Sequence, residues 1–197
     1  MTRIISGFAG SLSLTVPKQG TRPTSDRVRE AIFSALEAQD AIAGTRVLDL
    51  YAGSGALGLE AASRGAASVT LVEKHAAAAQ LCRRNVEAVR AAAPKRDVPD
   101  IRVSTQAVQT FLASAAGRFD LVFLDPPYDL AEAELTRALA TLAPLLSEDA
   151  VVVVERNVRS PEPSWDPTLE LTKRKDYGDT SVWYARVAEQ PPYTSVA

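Results

Sequence analysis

The sequence predicts an α/β fold, in which a mostly parallel seven-stranded sheet carries helices on both faces and follows a β-hairpin and a helix. Three observations predict it. From residue 44 onward, short apolar segments alternate with helical ones, and glycine-bearing turns separate them. Residues 121–124 are too apolar to have one side in water, as in a buried parallel strand. The 197 residues suffice for one sizeable core and are too few for two ordinary domains.

The predicted elements follow one another in order. The hairpin has strands at residues 3–8 and 12–16, and Thr24 or Ser25 caps a helix with an apolar face through Leu36. The last two strands should add an antiparallel strand at one edge. The predicted sheet strands are 46–50, 68–73, 101–105, 119–125, 150–155, 169–175 and 181–187, and the helices are 56–64, 75–92 and 131–146. The corresponding regions are an extension (1–40), a main domain (41–188) and a flexible tail (189–197).

Charge is distributed unevenly along the chain. The net charge is −2, so no general attraction to a polyanion is expected. Residues 1–30, however, hold five basic and two acidic side chains, and residues 173–175 form a second basic run. Such runs are typical of solvated surfaces and also of phosphate-binding patches, and the second run fits either interpretation equally well.

Several classes of protein are disfavoured by composition. No apolar run is long enough to cross a bilayer and no signal-peptide core is found, so a cytoplasmic location and no membrane partner are expected. The single cysteine, Cys82, cannot form an internal disulfide. With only one histidine, His75, in the chain, no metal site built from its own side chains is expected.

A glycine-bearing loop joins the first sheet strand to its helix. Residues 49–58 have the sequence DLYAGSGALG, and Glu73 ends the next strand twenty residues after Gly53. An acid at that distance can hold ribose hydroxyls, and glycines let a ligand approach the backbone. The spacing also matches a dinucleotide site. Asp49 favours a site for S-adenosylmethionine over a dinucleotide site. A carboxylate aimed into the loop repels a pyrophosphate and attracts the ammonium and sulfonium of S-adenosylmethionine.

A second motif follows the fourth strand of the sheet. The sequence there is Asp125-Pro126-Pro127-Tyr128. Prolines fix φ and lack a donor, so the Pro126 carbonyl can be held beside the Asp125 carboxylate. Two acceptors suit an amino group with two N–H donors, and Tyr128 offers a face on which a base can stack. The motif therefore predicts methylation of an exocyclic base nitrogen, with these four residues as the catalytic segment.

Five segments together resemble one known family. They are 3–7 (RIISG), 21–30 (TRPTSDRVRE), 49–61 (DLYAGSGALGLEA), 125–128 (DPPY) and 177–180 (YGDT). The chain resembles the class I, Rossmann-like methyltransferases, and more narrowly the bacterial 16S rRNA guanine-N2 methyltransferase D family. The stretch 22–30 is the most specific of these segments, since general amino-methyltransferases lack it.

The resemblance implies that S-adenosylmethionine is the cofactor and that the product is N2-methylguanine in 16S rRNA. We expect this RNA to be part of an assembling small subunit and the enzyme to be a monomer. Two departures are noted. Gln106 replaces the more common Asp or Asn near the adenine, and residues 8–13 lack the basic side chains expected of the hairpin. The expected cofactor contacts are Asp49, Ala52, Gly53, Ser54, Gly55, Glu73, Gln106, Ala107 and Asp125. The expected RNA contacts are Thr24 and Arg27, which the resemblance places beside the active site, and the basic residues Arg3, Lys18 and Arg22.

Other functions account for part of the sequence. N6-adenine methylation of DNA uses a similar tetrapeptide but predicts a separate sequence-reading domain. Glutamine-N5 methylation of a protein usually has Asn where this chain has Asp125. An NAD-dependent oxidoreductase accounts for the glycines and Glu73 but leaves Asp49 and residues 125–128 unexplained. A non-catalytic RNA-binding module would have no use for an intact cofactor loop.

Overall fold

The computed structural model describes residues 2–16, 25–96 and 98–189. The predicted RNA contacts Lys18, Arg22 and Thr24, and nearly all of the predicted tail, lie outside the described residues. Among the helices of the described part, none combines the length and apolar composition that a bilayer span requires.

Nine strands and five α-helices are found in the described residues. The strands are β1 (Thr2–Arg3), β2 (Ser13–Leu14), β3 (Arg46–Leu50), β4 (Ser68–Val72), β5 (Asp100–Ser104), β6 (Phe119–Leu124), β7 (Leu146–Asn157), β8 (Leu169–Tyr177) and β9 (Thr180–Val187). The helices are α1 (Asp26–Glu37), α2 (Ala56–Ser63), α3 (Ala76–Ala92), α4 (Val108–Ser114) and α5 (Glu132–Leu142), and a 3₁₀ turn at Ala143–Leu145 follows α5.

The large sheet has seven strands in the order β5-β4-β3-β6-β7-β9-β8. Strands β3 to β7 are mutually parallel, and β9 is antiparallel to both of its neighbours. The predicted mostly parallel α/β fold is thereby confirmed. The antiparallel strand was predicted at the edge, but it lies one position inside it, because β8 pairs with β9 and forms the edge itself.

The strand order places two loops side by side. The chain moves outward from β3 to β4 and β5, then returns to the other side of β3 with β6. The carboxyl ends of β3 and β6 are therefore neighbours, with Leu50 opposite Leu124. Parallel α/β sheets bind ligands at such a reversal point. The loop after β3 and the Asp125 motif after β6 thus lie at one edge of the sheet.

Two apolar clusters cover the two faces of the sheet. Helices α1, α2 and α3 pack on one face, and α4 and α5 pack on the other. Ile4 and Leu14, from the N-terminal extension, are buried in the first cluster together with Leu59 and Val86 of the main domain. The extension and the main domain share this core. The division of the chain at residues 40 and 188 stays a prediction.

Three details differ from the sequence-based predictions. The hairpin has strands of only two residues each, because residues 4–12 form a turn-rich loop that hydrogen-bonds to α2 as well as to itself. The seven-residue helix α4 was not predicted, since it is short and no side chain caps it. Helix α5 ends at Leu142 and β7 already begins at Leu146, because Pro144 supplies no N–H and lies in a 3₁₀ turn.

Gly7 is the point at which the extension touches α2 most closely. Its φ is +81°, and a Cβ there would lie 1.8 Å from the carbonyl oxygen of Ser63. Gly7→Ala is therefore expected to lower the free energy of unfolding by about 3 kcal/mol, combining left-handed strain with an overpacked backbone contact. Urea denaturation measures the effect. Gly117→Ala is the matched control, because Gly117 has φ of +95° and nothing within 4 Å. An equal decrease in the free energy of unfolding in both variants would contradict the close contact between Gly7 and Ser63.

Candidate active site

The loop between β3 and α2 is a tight turn built from left-handed residues. Tyr51, Gly53 and Gly55 have φ values of +64°, +57° and +81°. The Gly55 N–H donates to the Ala52 carbonyl at 2.7 Å, and the Ala52 N–H donates to the end of β4. A Cβ at Gly55 would lie 2.8 Å from Cys82 Sγ, so the loop packs closely on α3. The backbone of the loop is thus held in one shape at the carboxyl edge.

Asp49 lies beneath this loop and is 2% exposed. Its Oδ2 accepts a hydrogen bond from the Gly58 N–H in the first turn of α2, at 2.9 Å. Helix N-termini bind pyrophosphate through free N–H groups. Here one of those groups is already bonded to a carboxyl group, which adds negative charge to the site whenever it is ionised. This arrangement disfavours an anionic ligand and favours a cationic one, as the sequence analysis predicted.

Three carboxylates interact electrostatically at this edge. Burial, together with the charges of Asp125 and Glu73, raises the pKa of Asp49 to about 7, although the Gly58 hydrogen bond opposes the rise. Like charges nearby disfavour the ionised form of a buried acid, and an opposite charge would favour it. A ligand with positive charge would supply that opposite charge. The residues present therefore fit the ammonium and sulfonium of S-adenosylmethionine.

Glu73 follows β4 and is 7% exposed. One carboxylate oxygen accepts from the Gly53 N–H at 3.0 Å, and the other accepts from the His75 N–H at 2.7 Å. A carboxylate oxygen has more than one acceptor site, so both can still bind ribose hydroxyls. The structure thus orients Glu73 from two sides and ties it to the glycine loop.

Gln106 and Ala107 follow β5 at the same edge of the sheet. The Gln106 Nε2 donates to Ser104 Oγ at 2.8 Å, and Ala107 precedes α4. Gln106 is half-buried and Ala107 is exposed. Their strand lies two positions from β3, on the same side of it as Glu73. Their place beside the adenine stays a prediction.

The Asp125 motif begins directly after β6. Asp125 is half-buried, Pro126 is buried, and Pro127 and Tyr128 are exposed. Tyr128 is 59% exposed, which is unusual for a large aromatic side chain in the described part of the chain. The Leu130 N–H donates to the Pro127 carbonyl at 3.0 Å and closes a turn. The segment therefore presents an acid and an aromatic face at the edge where Asp49 and Glu73 converge.

Known proteins are similar to this chain over nearly its whole length. A family model described as "Conserved hypothetical protein 95" matches residues 2–186. The ribosomal RNA small subunit methyltransferase D of Escherichia coli K12 is 36% identical over 180 residues, which cover 91% of this chain and 86% of that protein. The chain belongs to this methyltransferase D family.

Solved structures show the same fold at full length. Escherichia coli yhhF has a TM-score of 0.81 and 32% identity, over 95% of this chain and 99% of that chain. A hypothetical protein from Thermus thermophilus has a TM-score of 0.77 and 31% identity, over 95% of this chain and all of that one. The Rossmann-like methyltransferase fold expected from the resemblance is confirmed.

Among the predicted RNA contacts of this family member, the described residues include Arg3 and Arg27, and both are exposed. Arg3 lies 3.9 Å from Asp26. Arg29 was counted in the same basic region but is fully buried, because its guanidinium binds the Arg3 carbonyl and Asp26. Burial lowers the pKa of Arg29, whereas Asp26 and Glu60 oppose that change. Arg29 thus fixes the extension and adds no surface charge.

The second basic run lies on the edge strand β8. Its three side chains, at 173–175, are exposed. Arg174 stacks over Trp183 at 4.4 Å and pairs with Asp176 at 2.9 Å, while Lys173 lies over Tyr184. These contacts give two of the three residues a structural role on the sheet edge. They leave the phosphate-binding interpretation of the run as a prediction.

Two residues that support the candidate site could not be predicted from the sequence. Arg156, near the end of β7, is buried and donates to the Leu130 carbonyl and to Glu132, so it holds the segment after Tyr128. Asn85, in α3, contacts the cofactor loop. Both act through contacts with backbone distant in sequence, and no local spacing reveals such contacts. Asn85 is a polar residue beside the apolar positions of α3, whereas Arg156 stands between the polar Glu155 and Asn157 of β7 and gives no such signal.

Proposed function

We propose that this protein transfers the methyl group of S-adenosylmethionine to the N2 amine of a guanine in small-subunit (16S) ribosomal RNA. One observation carries the proposal: the Asp125 motif leaves β6 beside the loop of β3, where the buried Asp49 and Glu73 create a site for a positively charged ligand. The family relationship supports the substrate class, because the relative from Escherichia coli is named for small-subunit ribosomal RNA.

Each carboxylate has a separate task in the proposed site. Asp49 and the glycine loop hold the methionine end of the cofactor, and Glu73 holds its ribose. Ala52 and Ser54 line the same loop, and Gln106 with Ala107 borders the adenine. When bound, S-adenosylmethionine supplies a methyl group already activated by the sulfonium.

Asp125 and the Pro126 carbonyl accept hydrogen bonds from the two N–H groups of the amine. These bonds turn the nitrogen lone pair toward the methyl carbon. With S-adenosylmethionine bound, the nitrogen would accept its methyl group, leave S-adenosylhomocysteine as the product and lose one proton to solvent. Tyr128 stacks on the base, which is worth roughly 1–3 kcal/mol. Positioning alone can supply ~7–11 kcal/mol, so no strong base is required.

The target base has to leave its stack or be unpaired to reach such a pocket. The exposed Tyr128 and the half-buried Asp125 are compatible with a base that enters from solvent. We further propose that the substrate is RNA within an assembling small subunit and that the enzyme acts as a monomer in the cytoplasm without a metal. In the described residues no group of three or more histidine, cysteine or acidic side chains could hold a metal ion.

Parallel calorimetric titrations with S-adenosylmethionine and NAD separate the two ligand classes. We expect binding of S-adenosylmethionine and none of NAD, because Asp49 occupies the helix N-terminus. Transfer of a labelled methyl group to purified small-subunit RNA, followed by nucleoside analysis, then identifies the product. N2-methylguanosine is expected. N6-methyladenosine as the product, or tight NAD binding without methyl transfer, would contradict the proposal.

Lys18 and Arg22 are proposed to contact RNA phosphates. Replacing both with alanine is expected to weaken RNA binding and to reduce the slope of log affinity against log salt by about 1 to 2, because each contact releases about one counterion. Filter binding at several salt concentrations measures the slope. Arg102 is a suitable control, since it lies exposed on the edge strand β5 and pairs with Asp100. An unchanged slope in the Lys18–Arg22 variant would remove both residues from the interface.

A further inference from the structure

Asn85 is a polar side chain that the proposed chemistry does not use. It lies within the 17-residue helix α3 and is 3% exposed. Asparagine is a poor helix residue, since its side chain competes for backbone hydrogen bonds. Among the described residues, its amide bonds to two segments that are far away in the sequence and not to its own helix.

The first of these segments is the cofactor loop. Asn85 Nδ2 donates to the Ser54 carbonyl at 2.8 Å. One turn earlier in α3, Cys82 packs so closely against Gly55 that a Cβ there would lie 2.8 Å from its sulfur. Helix α3 therefore supports two consecutive residues of the loop, and Asn85 provides the hydrogen bond in that contact.

The second segment is the end of the N-terminal loop. The same Nδ2 donates to the Thr15 carbonyl at 2.9 Å, and Asn85 Oδ1 accepts from the Thr15 N–H at 2.9 Å. The amide thus binds Thr15 in the manner of a neighbouring β-strand. Thr15 directly follows β2, and the chain continues from it toward Lys18 and Arg22, the proposed phosphate contacts.

We propose that Asn85 is a positioning residue that couples cofactor binding to the RNA-binding extension. Any shift of the Ser54 carbonyl when a cofactor binds acts on the same amide that holds Thr15. A cofactor that stabilises the Ser54 loop therefore also stabilises the contact with Thr15, and RNA in turn strengthens cofactor binding, because such coupling is reciprocal. This inference rests on the proposed function, and it concerns how the two substrates communicate.

A contact elsewhere provides a matched control. Ser63 also holds the extension, since its Oγ donates to the Ser6 carbonyl and accepts from the Ala9 N–H. It lies at the far end of α2 from the cofactor loop, and both of these bonds go to the extension. Ser63→Ala should loosen the extension without interrupting the connection to the loop. Asn85→Asp keeps the shape and the acceptor for Thr15 but replaces both donated bonds with repulsion between oxygens.

Hydrogen–deuterium exchange with and without saturating S-adenosylhomocysteine tests the coupling. In the wild type, the ligand is expected to slow exchange at least about fivefold in peptides covering residues 53–55 and also in those covering 9–16. In Asn85→Asp, protection of the loop should remain while protection of residues 9–16 is lost. In Ser63→Ala, the ligand should protect both regions.

Calorimetry of S-adenosylhomocysteine binding to the wild type separates the inference from the proposed function. If the wild type binds the ligand without any change at residues 9–16, the coupling is overturned and the proposed function stands. Full protection of residues 9–16 in Asn85→Asp would overturn it equally. A wild type that binds no ligand would overturn both. If Asn85→Asp does not fold, the wild-type experiment still tests whether the cofactor loop and residues 9–16 are coupled.

Discussion

Replacing Asp125 with alanine is expected to lower turnover on the order of 10²-fold or more while cofactor affinity stays within a few fold. The side chain is half-buried at the end of β6, and its proposed partner is the substrate amine, which the cofactor does not provide. Its loss should therefore appear in the chemical step. Single-turnover methyl transfer and calorimetry on the same preparation measure the two quantities separately.

Asp125→Asn provides the matched control for this prediction. It keeps one acceptor oxygen and the shape of the side chain, so turnover should lie between those of the alanine variant and the wild type. Removing the negative charge should also lower the pKa of Asp49, because the charge of Asp125 contributes to raising it. Turnover of the alanine variant within about tenfold of the wild type would contradict the assigned role.

Asp49→Asn is expected to weaken S-adenosylmethionine binding and to remove its pH dependence. The pKa of Asp49 is raised to about 7, chiefly by burial. A cationic ligand favours the ionised form, so wild-type affinity should rise with pH, by at most about tenfold per pH unit below pH 7. Calorimetry between about pH 5.5 and 8.5, in buffers of different ionisation enthalpy, should also detect proton release near neutrality. A flat wild-type profile would contradict this assignment.

The same substitution should stabilise the ligand-free protein at neutral pH. A folded-state pKa above the unfolded value means that the folded protein retains a proton that the unfolded chain loses. Stability from this group is complete below about pH 4 and is lost as the pH rises through about 7, by at most about 4 kcal/mol. Asp49→Asn removes that loss, which denaturant titration across the pH range measures.

Asp120 serves as the control, because its pKa is shifted in the opposite direction from that of Asp49. Hydrogen bonds from Arg46 and Ser147 lower its pKa, so its stabilising effect is present above about pH 4 and is lost in acid. Asp120→Asn should destabilise the protein at neutral pH without changing cofactor affinity, since it lies near the start of β6, at the opposite end of that strand from Asp125. If both substitutions changed the free energy of unfolding in the same direction across the pH range, the opposite pKa shifts assigned to Asp49 and Asp120 would be contradicted.

The candidate site residues that lie at the ends of strands could be predicted from the sequence. In a parallel sheet the carboxyl ends share one edge, so Asp49, Glu73 and Asp125 could be grouped without coordinates. The fold class followed from the same alternation of strands and helices. Contacts between distant segments could not be predicted. Asn85 reaches residues 31 and 70 positions away, and no periodicity encodes those partners.

The burial of a charged side chain also could not be predicted from the sequence. Arg29 is one of several arginines near the N-terminus, and its local pattern does not distinguish it from the exposed Arg27. Only the docking of residues 3–6 on α2, where Glu60 accepts from the Ile5 and Ser6 N–H groups, encloses Arg29. Local sequence therefore overestimated the basic charge available to RNA in this region.

The central claim is that the acceptors after β6 present a guanine amine to a methyl donor held after β3. Nucleoside mass spectrometry of small-subunit ribosomal RNA, from cells with and without the gene, tests it most directly. Loss of one N2-methylguanosine in the deletion strain is expected, with recovery by the wild-type gene and none by Asp125→Ala. Unchanged N2-methylguanosine in the deletion strain, or full recovery by Asp125→Ala, would contradict the account.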